Sequence, residues 1–271
     1  MSETRTVIVS SDKVDPKRAD LVLRPEGNLY TGIKPFSTIF PSPTSLEQDV
    51  LLVASTVYAC DLAFKRGERE HITRSIEVTV PVVNFQAFER LKQELEYILY
   101  VLSHDSWTFT FERAKGSPEE VRDWPETKGK TLLFSGGLDS LAGAVDLLDA
   151  YGVGGAQLAS HVTANPVTRA SQDDLAAYLE RTYGGPLDRV VVRTGGRKQG
   201  DLLFPSDAER EETQRTRSFM FLAIAALGAR RRGRSEIVMI ARERADGHPP
   251  APKRGSCRCL LDAHGSSRVC S

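Results

Sequence analysis

The sequence predicts an α/β protein: a doubly wound parallel sheet preceded by a smaller α+β domain. Three observations carry that expectation. From Thr131 onward, short apolar runs of strand length alternate with segments of helical period, the pattern of a parallel sheet with helices on both faces. Before residue 112, strand-like alternation and helical stepping occur in separate blocks. Between the halves, residues 113–130 are polar and carry Pro118, Pro125 and Gly129, which reads as a connection. The expected division is residues 1–125 for the first domain and linker, 126–241 for the α/β domain, and 242–271 for an irregular tail.

The 271 residues are enough for two cores. Apolar residues make up 40% and charged residues 27%, ordinary values for a globular chain. The formal net charge is zero, so no global basic field points to nucleic acid. No apolar run approaches the ~18 residues of a membrane span, and Met1–Arg5 lacks an apolar signal core. A cytoplasmic protein is the expectation. Cys60 stands alone while Cys257, Cys259 and Cys270 crowd the end, which makes no disulfide framework.

In chain order, Val7–Val9 and Leu21–Leu23 read as short strands, and Pro35, Pro41 and Pro43 mark a loop. Leu46–Lys65 places Leu46, Val50, Val53, Val57 and Leu62 at helical intervals. Ile72–Val80 alternates, with Ile76, Val78 and Val80 on one face, and Pro81 is expected to end that strand. Phe85, Phe88, Leu91, Leu95, Ile98 and Leu102 step by three and four and predict one amphipathic helix. Trp107, Phe109 and Phe111 alternate as a strand, and these aromatics read as core. Asp61, Arg66, Arg69 and Arg74 are polar-site candidates, but a solvated surface is the preferred reading.

In the second half the expected elements are strand 131–134, helix 139–151, strand 157–162, helix 172–183, strand 189–192, helix 211–231 and strand 237–241. Ligands of such sheets sit beyond the carboxyl ends of the strands. The first strand delivers Ser135 to Ser140 there, the second His161, and the third Arg193, Arg197 and Lys198.

The stretch Leu133-Phe134-Ser135-Gly136-Gly137-Leu138-Asp139-Ser140 is the most informative. A buried strand, a glycine turn and a helix start gather free backbone N–H groups around one point, and the helix dipole adds positive potential. Such a point suits a polyphosphate. It is neither the GxxxxGK[ST] loop nor the GxGxxG loop. SGGLDS resembles the SGGxDS motif of the PP-loop ATP pyrophosphatases, which cleave ATP to AMP and pyrophosphate. Gln214-Arg215-Thr216-Arg217-Ser218 before an apolar run resembles the arginine-bearing helix start of the 7-cyano-7-deazaguanine synthases, the QueC family, with Ser218 where that family has asparagine. Residues from about 45 to 241 are most similar to the QueC-like component of the Qat anti-phage systems, the QatC family.

That resemblance implies a PP-loop (adenine nucleotide alpha hydrolase-like) fold and an ATP-dependent ligase that adenylates a carboxylate-type substrate, in anti-phage defence. It implies that ATP lies on Ser135, Gly136, Gly137, Leu138, Asp139 and Ser140, with Arg217 and Ser218 at the phosphates and His161 toward the adenosine, although a lone histidine at a strand end is more often structural. Asp139 and Arg217 are the implied catalytic residues. Asp139 is more plausible as a Mg²⁺ or loop-ordering ligand than as a base, because a phosphate site needs its charge neutralised. Partner proteins of a defence operon are implied. A catalytically inactive nucleotide-binding component and a tRNA-modifying PP-loop enzyme are the alternatives, the latter disfavoured by the absence of a basic stripe. No zinc site is expected, since Cys257, Cys259, His264 and Cys270 lack the family's four-cysteine spacing.

After Ala241 the apolar patterning stops. Pro249-Pro250 break any helix, and bases outnumber acids, so residues 242–271 are expected to stay disordered. With one base removed after codon 241, GC-rich codons for these residues can be read as ENGQMAIHLPLSAARAGAFSTHTAHPEFV. This string resembles the family's continuation, so a frameshifted tail is expected, leaving an α/β domain without its last strand and part of its substrate pocket, poorly stable or inactive.

Overall fold

The computed structural model describes residues 4–66, 73–119, 126–162, 166–240 and 258–260. The chain divides into two compact units: Met1–Val121 with Arg193–Ala223, and Arg122–Val192 with Ile224–Ser271. The segment 193–223, expected in the second domain, packs with the first unit. The first unit is accordingly not the smaller one.

The first unit is built on a four-stranded sheet in the order β2-β1-β4-β5, where β1 is Thr4–Val9, β2 Leu21–Leu23, β4 Ser75–Val82 and β5 Ser106–Arg113. All its pairings are parallel. The expected α+β character is therefore corrected. Parallel neighbours need crossovers, and helices supply them. Between β1 and β4 run α1 (Ile33–Ile39) and α2 (Ser45–Ala63); between β4 and β5 run α3 (Phe85–Arg90) and α4 (Lys92–Ser103). A short strand β3 (Leu29–Tyr30) pairs antiparallel with β9 (Gly195–Gly196).

Local chemistry explains the departures from expectation. Pro35 lies in the first turn of α1, where its missing N–H costs nothing, so the expected loop is partly helix. Pro81 sits inside β4 rather than ending it. Pairing with β1 stops at Ile8 opposite Thr79, so beyond it β4 is laddered only to β5, and a residue without N–H is tolerated. The helix expected over 85–102 is broken at Leu91, whose φ and ψ of −97° and 5° leave the helical region. α2 is held at its start by a capping box, with Thr44 Oγ1 accepting from Glu47 N and Glu47 Oε2 from Thr44 N. Nearly all of it is buried, which hides its amphipathic stripe.

The second unit is an α/β layer with a parallel sheet. β6 (Lys130–Leu133), β7 (Ala156–Val162), β8 (Asp188–Arg193) and β10 (Glu236–Val238) stand in the order β10-β6-β7-β8. β6 pairs parallel with both β7 and β10. The connections are α5 (Leu138–Gly155), α6 (Pro166–Tyr183) and α7 (Arg217–Arg231). A core of Leu132, Phe134, Leu147, Leu148, Leu158 and Leu179 joins the sheet to α5 and α6. β7 is buried at all seven positions, as a strand covered on both faces must be. α7 starts six residues later than expected, because residues 211–216 are held in another conformation by buried side chains described below. α6 starts six residues earlier.

The strand β11 (Arg258–Leu260) pairs antiparallel with β10. It corrects the expectation of a tail without ordered elements at those three residues. The rest of 242–271 lies outside the described residues, as do the side chains of the expected non-zinc set Cys257, Cys259, His264 and Cys270. Among the described residues, no helix is long and apolar enough to cross a membrane.

Candidate functional site

The strand order of the second unit fixes where a ligand belongs. From β6 the chain steps outward to β7 and β8, then returns to place β10 on the other side of β6. The direction of winding reverses at β6, and the crevice outside the carboxyl end of such a strand is the ligand position of doubly wound sheets. The residues that leave β6 there are Phe134 to Gly137.

Each of them has a structural cause. Phe134 is fully buried, and its N donates to Ala159 O at 2.8 Å, prolonging the β6–β7 ladder by one residue. Gly136 has φ of +83°, and a Cβ there would lie 2.7 Å from Gln172 Cγ. Glycine is therefore required by both conformation and space. Gly137 differs: it has φ of −93°, and the nearest atom to a Cβ there would be Ser135 Oγ at 3.6 Å, an ordinary contact. Conformation and space therefore demand glycine at Gly136 and not at Gly137. Gly137 is the N-cap of α5, with no side-chain cap. The N–H groups of the first helical turn, residues 138–140, are thus free of the usual side-chain partner.

Loop side chains and α6 brace this backbone. Ser140 Oγ donates to Gly137 O at 2.8 Å and is buried. Ser135 Oγ lies 3.3 Å from Ser140 Oγ and accepts weakly from Gly137 N at 3.4 Å. Ser171 Oγ donates to Gly136 O at 2.9 Å, and Gln172 Nε2 to Ser135 O at 3.1 Å. Gln172 is a supporting residue that sequence reading missed. Only its place on the helix two elements later brings it to the glycine turn.

Of the residues expected at the nucleotide, Ser135, Gly137, Leu138 and Asp139 are exposed, and Gly136 is half-buried. Leu138 is 81% exposed, unusual for a leucine at a helix start. Ser140 spends its hydroxyl inside the loop. His161 has no exposed surface; its carbonyl accepts from Gln172 Nε2 at 3.4 Å. It is a fully buried residue of β7. Asp139 is an exposed carboxylate beside the free amides, and it suits a Mg²⁺ that takes most of its ligands from phosphate and water. Among the described residues no group of three or more His, Cys, Asp or Glu side chains is set to hold a metal ion.

Arg217 and Ser218 belong to the first unit. Arg217 is half-buried, its guanidinium 5.4 Å from the centre of the Phe221 ring. Arg193 and Arg197 lie 5.2 and 4.1 Å from the ring centre of Tyr30, and Lys198 is exposed.

The first unit also contains a buried ionic cluster, where a solvated surface was expected. The side chains of Asp61, Asp105, Arg66, Arg74 and Glu211 are all 8% exposed or less. Arg74 Nη2 donates to Asp61 Oδ1 at 2.6 Å and also to Asp105 Oδ2, while its backbone N donates to Asp105 Oδ1 at 3.1 Å. Arg66 Nη2 donates to both Asp61 and Asp105. Burial opposes the charge on Asp105, but the Arg74 and Arg66 contacts outweigh it and lower its pKa; for Arg74 the two carboxylates likewise outweigh burial and raise it. Glu211 shows the same balance. Burial would raise its carboxyl, but hydrogen bonds from Arg66 N and from Thr213 hold it at about 2. Tyr58 donates to Gln214 Oε1 at 2.9 Å, and burial pushes its hydroxyl up to about 12. Charge-rich sequence at 61–74 looks solvent-facing because a sequence shows no partner; here the partners come from residues 105 and 211. Arg69 lies outside the described residues.

Comparison with family models, with curated proteins and with solved structures finds no match to this chain. The class of protein that the geometry defines is a parallel α/β fold with a glycine turn at the point where its winding reverses.

Proposed function

We propose that the second unit binds ATP through the Ser135–Ser140 turn, as a PP-loop protein of the QueC-like class. One observation carries this reading: the turn lies at the reversal of strand order and ends in an uncapped helix N-terminus. The exposed Ser135, Gly137 and Asp139 beside free amides favour a polyphosphate and its cation. The reaction class follows from the resemblance of SGGLDS and of the Arg217 segment to that family. A substrate carboxylate attacks the α-phosphorus and displaces pyrophosphate, giving an acyl-adenylate; ammonia then displaces AMP and forms an amide. Preorganised amides and a cation are the groups that stabilise the charge of the departing pyrophosphate. Anti-phage defence, with partner proteins, is the biological setting that this reading carries.

The test is product analysis with labelled ATP and purified chain. AMP and pyrophosphate are the expected products, and ADP with phosphate would exclude the class. Asp139→Ala and Arg217→Ala are each expected to lower turnover at least tenfold; unchanged turnover would remove that residue from the assignment.

A second reading is an inactive nucleotide-binding component of a defence complex. Ser218, exposed at the start of α7 where the family carries asparagine, favours it. Tight ATP binding by calorimetry without turnover would select this reading, and robust turnover by the isolated chain would reject it.

A further inference from the structure

The ionic cluster of the first unit does more than neutralise itself. Asp61 divides its two oxygens. Oδ1 accepts from Arg74 Nη2 at 2.6 Å and Arg66 Nη2 at 3.1 Å. Oδ2 accepts from Thr216 N at 2.8 Å and from Thr216 Oγ1 at 3.0 Å. Thr216 is fully buried and immediately precedes Arg217, the first residue of α7. A carboxylate bonded to the amide at a helix start acts as a cap and complements the positive end of the dipole. This one is supplied by α2, a distant element.

The neighbours of Thr216 are fixed in the same way. Gln214 Oε1 is bonded to Tyr58, Arg215 Nη1 donates to Ser103 O at 3.1 Å, and Glu211 and Thr213 are bonded to Arg66. Each of the four residues before Arg217 is therefore hydrogen-bonded to a distant element. Arg217 itself differs. Its Nε has no hydrogen-bond partner among the described residues, and its guanidinium rests on Phe221.

We propose that Asp61 is a positioning residue for Arg217: by capping Thr216 it fixes the backbone from which the Arg217 guanidinium meets a phosphate-bearing ligand. The proposal rests on the reading of Arg217 as a phosphate-binding group. Two guanidinium groups hold Asp61 in place, and its second oxygen sets the helix start. A cation on a preorganised backbone loses less freedom when it binds, so affinity depends on the brace as well as on the charge.

The experiment uses the full chain, with MgATP and inorganic pyrophosphate as probes in calorimetry. The variants are Thr216→Val, Thr216→Ser, Arg217→Ala, Asp105→Asn and the double variant Thr216→Val/Arg217→Ala. Thr216→Val keeps shape but deletes the hydroxyl that donates to Asp61. It is expected to weaken ATP about tenfold, the factor one charge-assisted hydrogen bond commands. Thr216→Ser keeps the hydroxyl and should bind within about twofold of the parent. Asp105→Asn loosens the cluster on the side that does not touch Thr216. It should lower the unfolding midpoint and leave ATP affinity within about twofold, which a purely structural role of the cluster would not permit. The double variant should bind no more weakly than Arg217→Ala alone, because the brace acts through the arginine.

If Thr216→Val leaves affinity intact while Arg217→Ala lowers it, or if the two losses multiply in the double variant, the positioning role is overturned and the phosphate reading of Arg217 survives. If Arg217→Ala leaves binding of both probes unchanged, that reading fails and the positioning role fails with it.

Discussion

Removing Asp105 tests whether the ionic cluster is integral to the first unit. Its carboxylate accepts from both Arg66 and Arg74 and from the Arg74 backbone, and the three side chains are 1%, 8% and 5% exposed. Breaking a buried ion pair by removing one partner costs ~3–5 kcal/mol, because the remaining charge stays desolvated. Three carboxylates face two guanidinium groups here. Asp61 and Glu211 still balance Arg66 and Arg74 after the deletion, which sets the expectation for Asp105→Ala at the lower end, about 3 kcal/mol. Asp173 provides the contrast. It is 51% exposed, and its pairs with Arg189 at 3.0 Å and Arg169 at 3.7 Å are open to solvent, so Asp173→Ala should cost under about 1 kcal/mol. Urea unfolding followed by far-ultraviolet circular dichroism measures both, with m-values compared to verify that the same surface is exposed. Equal losses in the two variants, or a loss under about 1 kcal/mol for Asp105→Ala at unchanged m, would refute the assignment of a desolvated, integral cluster.

Three further outcomes are expected. Glu211 titrates at about 2 in the fold against an ordinary value of 4.5, so its contribution, about 3 kcal/mol, is complete above pH 4.5 and is lost as pH falls toward 2. Urea midpoints between pH 7 and pH 2.5 should show that slope, and Glu211→Gln should flatten it. Gly136→Ala, at φ of +83° with a Cβ 2.7 Å from Gln172 Cγ, should destabilise by ~1–3 kcal/mol in thermal melts, while Gly137→Ala, at φ of −93°, is accommodated; the opposite ranking would contradict the turn geometry. Resequencing the DNA around codon 241 should reveal codons that read ENGQMAIHLPLSAARAGAFSTHTAHPEFV in the shifted frame, and any other continuation ends the frameshift reading.

What the sequence made legible is what depends on period and on near neighbours. The β6–turn–α5 unit could be read because strand, glycines and helix are consecutive, and each is local chemistry. The parallel alternation of the second unit followed from the same logic. What stayed hidden depends on distant residues. The lack of space for a Cβ at Gly136 comes from Gln172, 36 positions later on α6. The late start of α7 comes from Asp61, which claims Thr216 before the helix can begin. The parallel character of the first sheet was missed because β4 and β5 alternate like half-exposed antiparallel strands. Register alone reveals that β1, β4 and β5 point the same way. The charged segment 61–74 was misread for the reason that governs all buried ion pairs: charge in a sequence looks hydrated until its counter-charges are known, and those came from residues 105 and 211. α2 is largely buried, and its last turn, which includes Asp61, carries a carboxylate into the interior. A buried carboxylate is stable only where donors converge on it, and here the donors are two arginines and the amide and hydroxyl of Thr216, the residue just before α7. The hidden part of the fold is thus the part that binds Thr216, the residue before Arg217.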